Sequence, residues 1–310
     1  MNSEKKKILV IGDIMLDHYI YGQVERISPD APIPVVKIER EEYRLGGAAN
    51  VYQNIIALGG QAYLCGLVGQ DQYEEKIKIR EEDDLTCYSI NKPTTVKTRI
   101  IGNGQQQMIR LDREDLNEIN QADFASLKTQ IDLADHQQGD IGLVVVSDYG
   151  KGVITAEVMA LLWTLGAPIF VDTKRKDVEI FKGIELVKPN FKEAQRISGQ
   201  QKNQDETFAN WAICAADKIS QKMFARNVLI TMGENGMFLL DREKQPYLIR
   251  PDKVLAVKDV LGAGDTVMAA MAVSIMAGNT YYAAAVIANR AAGIAVSKPG
   301  TAVVDKGELA

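Results

Sequence analysis

The chain has 310 residues, of which 46% are apolar, 25% charged and 6% aromatic. This composition excludes disordered and fibrous classes, and the length allows one large α/β unit or two domains. A net charge of −5 excludes a broad electrostatic footprint for nucleic acid. Three widely spaced cysteines (Cys65, Cys87, Cys214) and two histidines (His18, His136) have neither disulfide nor metal-ligand spacing, so buried spectator thiols and structural or exposed imidazoles are expected.

Lys5-Lys6-Lys7 before ILVIG (8–12) imitates a signal peptide, but the apolar segment is too short and Asp13 interrupts it, so a cytoplasmic protein is expected. ILVIG is the first of six short apolar runs. The others are YLCGLVG (63–69), GLVVVS (142–147), APIFV (167–171), IELVKP (184–189) and VLITM (228–232). Their hydrophobicity is continuous rather than alternating, which describes strands covered on both faces. Helical patterns such as AANVYQNIIALGG, TAEVMALLWTLG and NFKEAQRISG lie between them. This alternation predicts a single α/β domain over residues 1–310, with a doubly wound, mostly parallel sheet and helices on both faces.

Two segments depart from that rhythm. Residues 18–45 hold Pro29, Pro32 and Pro34, then VVKIERE, whose alternation suggests a half-exposed strand. Residues 94–112 read as two strands around a Gly102-Asn103-Gly104 turn. Together they predict a small second sheet over one edge of the main one, serving as a lid, a dimerisation surface or both. Near the C-terminus, Thr266 to Asn289 carries no charge and is long enough to suggest a membrane span. Gly278-Asn279-Thr280 breaks it, which predicts two small-residue-rich helices in a soluble core and no membrane partner.

Ligands of open parallel sheets bind at the carboxyl ends of the strands. The residues there are Asp13 and Asp17, Asp71, Asp148 and Lys151, Asp172 and Lys174, Asn190, and Gly233-Glu234. Turn chemistry explains any one of them; the collection points to a ligand site. Asn190 and Glu193 have the spacing of a helix capping box, and equally of a pair holding Mg²⁺ through water. Gly46-Gly47-Ala48-Ala49-Asn50 lets backbone approach a ligand at a helix N-terminus, although tight helix entry accounts for it as well. Gly262-Ala263-Gly264, feeding an apolar helix, offers consecutive N–H groups to an anion. Asp265 beside them stabilises the helix as a first-turn acid, or acts as a base. The helix N-terminus favours its ionised form, a modest base that suits phosphoryl transfer. No GxxxxGK[ST] occurs, nor a GxGxxG after the first strand, which excludes a P-loop and argues against a dinucleotide site.

GGAAN, KPNFKE and DVLGAGDTV resemble, in order and spacing, the motifs of the ribokinase-like (phosphofructokinase B type) carbohydrate kinases. ILVIGDIMLDHYIYGQVERISPDAPIPVVK, RLGGAANV, NGQQQMIRLD and SDYGKG are similar to the heptose 7-phosphate kinases within that family, so the resemblance spans nearly the whole chain. It implies a doubly wound α/β domain with a β lid and ATP- and Mg²⁺-dependent phosphorylation of the anomeric hydroxyl of D-glycero-β-D-manno-heptose 7-phosphate, with homodimers joined through the lids. Asp265 would be the base and residues 262 to 264 the anion site; Asn190 and Glu193 would position Mg²⁺ and phosphates. Asp17, Gly46, Gly47 and Asn50 match sugar-hydroxyl positions, Asp148 joins the substrate set, and Thr231, Gly233 and Asn289 fall at the nucleotide. Asp259 lies where some members bind K⁺. The cations chosen for the substrate's phosphate are Lys151, Lys174, Arg99 and Arg110. Leu261 departs from the Thr or Ser common among relatives; activity survives this if only its backbone matters. The sequence stops at Ala310, so a separate nucleotidyltransferase is expected for the later step. A kinase of another sugar and a non-catalytic sensor on the same fold are the alternatives.

Overall fold

A computed structural model describes residues 6–103, 106–136, 141–251 and 256–309. Lys5, Gly104 of the predicted turn, Ala310 and the His136 side chain lie outside the described residues. The main sheet contains β1 (Lys7–Gly12), β4 (Ala62–Gly69), β5 (Asp84–Ser89), β8 (Ile141–Asp148), β9 (Ile169–Thr173), β10 (Leu186–Val187), β11 (Asn227–Thr231), β12 (Met237–Leu240) and β13 (Pro246–Ile249). Its order is β13-β12-β11-β10-β9-β8-β1-β4-β5, parallel except where β12 and β13 pair antiparallel at one edge.

The continuous apolar runs follow from this two-sided burial. Leu9, Ile11, Val144 and Val146 pack on one face, against Leu127 of α2 (Gln121–His136), Leu162 of α3 (Ala156–Thr164) and Trp211 of α5 (Phe208–Met223). Ile8, Val10, Leu143 and Val145 point the other way, against Ile55 of α1 (Ala48–Ala57), Met271 of α6 (Ala263–Met276) and Ala288 of α7 (Tyr281–Val296). Each strand therefore needs an apolar residue at every position. The expected break between the last two helices is present: Gly278 has φ 86° and the Thr280 side chain accepts from Ala283 N at 3.2 Å to cap α7. No described helix is long and apolar enough to cross a membrane.

The second sheet has four strands, longer than expected: β2 (Ile14–Ile27), β3 (Pro34–Gly47), β6 (Thr95–Gly102) and β7 (Gln106–Arg113), in the order β3-β2-β6-β7. β2 and β6 pair in parallel and the outer pairs antiparallel. Directly opposed residues share a face, so the register Asp17↔Arg44, Asp17↔Lys97, Tyr19↔Arg99 and Arg99↔Arg110 gathers those side chains on one side. The other side carries Ile20, Ile100, Ile109 and Leu111, the last two about half exposed. Asp71 fixes the sheet to the core by accepting from the Thr94 N–H and hydroxyl, both at 3.0 Å. His18 is structural, as expected: its ring stacks on Tyr43 at 4.2 Å and bonds Glu41 at 2.7 Å. Cys65 and Cys87 are buried, but Cys214 on α5 is exposed, contrary to the expectation for it.

Candidate active site

Asp265 occupies the first turn of α6, just after Gly262 adopts φ 75° to turn the chain into the helix. It is 3% exposed. Asn50 Nδ2 donates to its Oδ2 at 2.8 Å and the Tyr149 hydroxyl to its Oδ1 at 2.7 Å. Burial pushes its carboxyl up to about 6, against the lowering effect of these two donors. The expectation of a comfortably ionised acid is corrected here: a helix N-terminus offers partial charge, and removal from water outweighs it. A base near 6 is better matched to neutral-pH proton transfer than an ordinary aspartate.

Gly262, Ala263 and Gly264 wrap this acid closely. A side-chain carbon at Gly262 would lie 2.9 Å from Asn50 Nδ2, and one at Gly264 would lie 3.3 Å from Lys188 Nζ. Gly47, which opens α1 and so aims Asn50, has φ 58°. A side chain there would overlap the Asp13 carbonyl oxygen and come within 2.7 Å of Met15 Cε. Gly47→Ala is expected to cost about 3 kcal/mol or more of stability, from positive φ and the clash together, measured by denaturant unfolding; a loss under about 1 kcal/mol would contradict this geometry.

A line of alternating charges runs from beneath Gly264 to Asn190. Lys188, 1% exposed, contacts Asp172 at 2.8 Å; Lys174 contacts Asp172 at 3.2 Å and Glu193 at 3.0 Å. Burial alone would raise the Asp172 carboxyl, yet the two lysines hold it below its ordinary value. Burial would likewise lower Lys174, but Asp172 and Glu193 raise it. The capping box of α4 (Phe191–Ser198) is present: Asn190 accepts from Glu193 N at 2.9 Å and Glu193 Oε2 accepts from Asn190 N at 2.8 Å. Both Glu193 oxygens are therefore engaged by protein, and among the described residues no group of three or more His, Cys, Asp or Glu side chains is arranged to hold a metal.

Thr231 ends β11 in a parallel bridge to Asn190. Gly233, with φ 57°, faces open space. Asn289 donates to the Arg250 carbonyl at 2.8 Å, so half of its amide is committed to backbone. The oxygens of Asp259 receive the N–H groups of Leu261 at 3.0 Å and Gly300 at 3.1 Å; Leu261 thus contributes backbone here.

On the lid side, Asp17 is ion-paired with Arg99 and accepts from Thr301 Oγ1 at 2.9 Å, while a side-chain carbon at Gly46 would lie 2.9 Å from Asp17 Oδ2. Lys97, which sequence reasoning missed, stands 5.3 Å from the centre of the Tyr149 ring, as does Lys174; burial lowers the Lys97 ammonium. Lys151 pairs with Glu114 at 2.6 Å, and the more exposed Arg110 with Asp112 at 2.9 Å. Asp148 is fully buried, receiving Thr173 Oγ1 at 2.5 Å and Arg175 Nε at 3.0 Å, and braces the loop after β8 rather than facing a cleft. Asp13, just past the end of β1, does the same, accepting the N–H groups of Tyr149 at 2.7 Å and Lys151 at 3.0 Å. Burial and neighbouring Asp148 raise the Asp13 carboxyl to about 6. Tyr149, Thr301 and Lys188 were also missed as site residues, although Tyr149 lies within SDYGKG and Lys188 opens KPNFKE, both at strand ends.

A buried acid thus stands beside a glycine-lined helix entry at the carboxyl edge of the mostly parallel sheet. The pfkB family carbohydrate kinase model matches residues 5–306, and the chain belongs to that family, which is one of sugar kinases. It is 42% identical over 97% of its length to the bifunctional protein HldE of Caulobacter sp. (strain K31), and 38% identical over 98% to HldE of Desulfatibacillum aliphaticivorans. It spans 62% of the length of each of these relatives. Among solved structures it is similar to phosphofructokinase-2 from Escherichia coli in complex with potassium (TM-score 0.80, 19% identity, covering 98% of this chain and 97% of that one). Arabidopsis thaliana ribokinase complexed with ribose and ATP matches at TM-score 0.72 and 18% identity, over 98% and 97% of the two chains.

Proposed function

We propose that the protein phosphorylates the anomeric hydroxyl of D-glycero-β-D-manno-heptose 7-phosphate with ATP, giving the 1,7-bisphosphate, in the cytoplasm where ATP is supplied. The observation that carries the chemistry is the buried Asp265, raised towards neutrality between Asn50 and Tyr149 beside the glycine entry of α6. The substrate hydroxyl gives its proton to Asp265 as its oxygen bonds to the γ-phosphorus; the bond from that phosphorus to the bridging β–γ oxygen breaks and ADP leaves. The N–H groups of residues 262–264 receive the charge on the transferring group.

Asp17, the Gly46-Gly47 backbone and Asn50 would orient the sugar. Its own phosphate would meet Lys97, Arg99, Lys151 and Lys174, with Arg110 further out on the same lid face. These cations, with the relatedness to HldE, favour a sugar phosphate over a free sugar. Thr231, Gly233 and Asn289 would contact the nucleotide. Mg²⁺ would arrive on the ATP phosphates and be met by Asn190 and Glu193 through water, because their direct ligand positions are already hydrogen-bonded; its chemistry is to neutralise phosphate charge. Asp259 would hold K⁺, its carboxylate receiving, among the described residues, the backbone N–H groups of Leu261 in its own loop and of Gly300 from the C-terminal segment. The half-exposed Ile109 and Leu111 on the outer lid face support a homodimer through the lids.

ADP release with ATP, Mg²⁺ and a panel of sugars and sugar phosphates tests the reading: heptose 7-phosphate is expected to give the highest kcat/KM, and preference for another member would replace it with the same chemistry on a different sugar. Tyr149→Phe provides a second check. The Tyr149 hydrogen bond lowers the Asp265 carboxyl, so its removal is expected to move the acid limb of kcat/KM to higher pH by about half a unit to one unit. A shift to lower pH, or none, would contradict the assigned role of that hydroxyl.

A further inference from the structure

We propose that Asn54 is a positioning residue for the proton transfer, holding the amide of Asn50 in the orientation that presents a donor to Asp265. The proposal rests on the reading of Asp265 as the base. Asn50 and Asn54 are one turn apart on α1, on the same face, and both are completely buried. Asn54 Nδ2 donates to Asn50 Oδ1 at 3.1 Å and to the Asn50 carbonyl at 2.9 Å. Asn50 is left with its nitrogen towards Asp265 Oδ2, 2.8 Å away.

An amide rotated by half a turn exchanges donor for acceptor. Inverted, Asn50 would set an oxygen against the carboxylate, so something must fix its sense. Asn54 is itself fixed from its far side, where its Oδ1 accepts from Val304 N at 3.3 Å and from Thr266 Oγ1 at 3.2 Å. The Thr266 hydroxyl also lies 3.2 Å from the Gly262 carbonyl and has one proton to share between them. A backbone N–H has no such freedom, so the Val304 donor polarises the whole chain, from Val304 through Asn54 and Asn50 to Asp265. The relay joins the C-terminal segment to α1 and to the base on α6. The ionisable groups facing Asp265 come from elsewhere: Tyr149 after β8, Asp172 and Lys174 at the end of β9, and Lys188 after β10, behind Gly264.

The test uses Asn54→Asp, nearly isosteric, and Asn54→Ala, which removes the donor without adding charge. In both, Asn50 is free to turn and Asp265 loses its oriented donor. Infrared titration of the ligand-free full chain follows the carboxyl band that disappears in Asp265→Asn. The Asp265 midpoint is expected to rise by about half a unit in Asn54→Ala and by about one unit in Asn54→Asp, with the acid limb of kcat/KM moving in step and KM for ATP unchanged. A purely structural Asn54 would lower stability and kcat without moving either midpoint, and that result in folded Asn54→Ala overturns the proposal. Should Asn54→Asp fail to fold, Asn54→Ala decides alone. If the infrared midpoint rises while the kinetic limb stays in place, Asp265 is not the titrating base, and the proposal falls together with that reading.

Discussion

Asp265→Asn is expected to lower kcat by about 10³-fold or more, within or above the usual contribution of a general base, and at the same time to make the ligand-free protein more stable at pH 7.5. The gain follows from the sign of the carboxyl's shift. Its folded-state value of about 6 lies above the ordinary 3.8, so the folded chain holds this proton more tightly than the unfolded chain. Below pH ~4 both states are protonated and the site costs nothing; stability is then lost as pH rises through 6. At neutral pH the penalty for keeping the charge buried is at most about 3 kcal/mol. Asparagine removes the charge and can keep both bonds: its oxygen accepts from Asn50, and its NH₂ donates to the Tyr149 oxygen once that hydroxyl rotates. Unfolding across pH 5–8 should show a shallower decline in the variant. The remaining slope would include Asp13, also raised to about 6. Turnover within tenfold of the parent would remove Asp265 from the chemistry, and equal or lower stability at pH 7.5 would refute the buried-charge argument.

The parts of this molecule legible in sequence are those governed by local pattern. Six parallel strands were readable because burial on two faces demands unbroken apolar runs, and the Gly278 break showed that the uncharged C-terminal stretch is two helices. Short edge strands lack that signature: DLTCYS of β5 and PYLI of β13 are partly exposed. Inside the sheet, only Leu186 and Val187 of the run from 184 to 189 form strand β10. Strand β2, whose buried root passes into an exposed arm, went unread for the same reason as the edge strands; α2 is weakly apolar, whereas α5 buries Trp211, Ala212, Ala215, Ala216, Ile219 and Met223 at helical spacing and was legible in principle. In the site, the glycine entry, Asp265 and Asn50 were visible because helix starts have local chemistry. Tyr149, Lys97, Lys188 and Thr301 were not, since their roles are set by neighbours distant in the chain; the bond from Thr301 to Asp17 spans 284 positions. The ionisation of Asp265 was misjudged for a related reason. The helix terminus is a local fact, whereas desolvation depends on how α1, the loop after β8 and the end of β9 pack around it.

Lys188→Met should be among the most damaging single changes to stability, with an expected loss of about 3–5 kcal/mol, because it strips one partner from a carboxylate that cannot reach water. Asp172 is 3% exposed, and its remaining lysine, Lys174, is shared with Glu193. The cost belongs to the orphaned charge rather than to the pair itself, so the double variant Lys188→Met/Asp172→Asn is expected to recover most of it. Denaturant unfolding of the parent, both single variants and the double variant measures the coupling. Catalysis should behave differently. Lys188 Nζ lies beneath Gly264, within 3.3 Å of where a side-chain carbon would project, so its charge supports the anion-binding N–H groups from below. Neutralising Asp172 as well restores the fold but not that positive charge, and kcat should stay depressed in the double variant, by about tenfold or more. Recovery of stability without recovery of kcat is the diagnostic pattern. If the double variant were no more stable than Lys188→Met, the buried pair would not be the origin of the loss; if kcat returned with stability, Lys188 would serve only the fold.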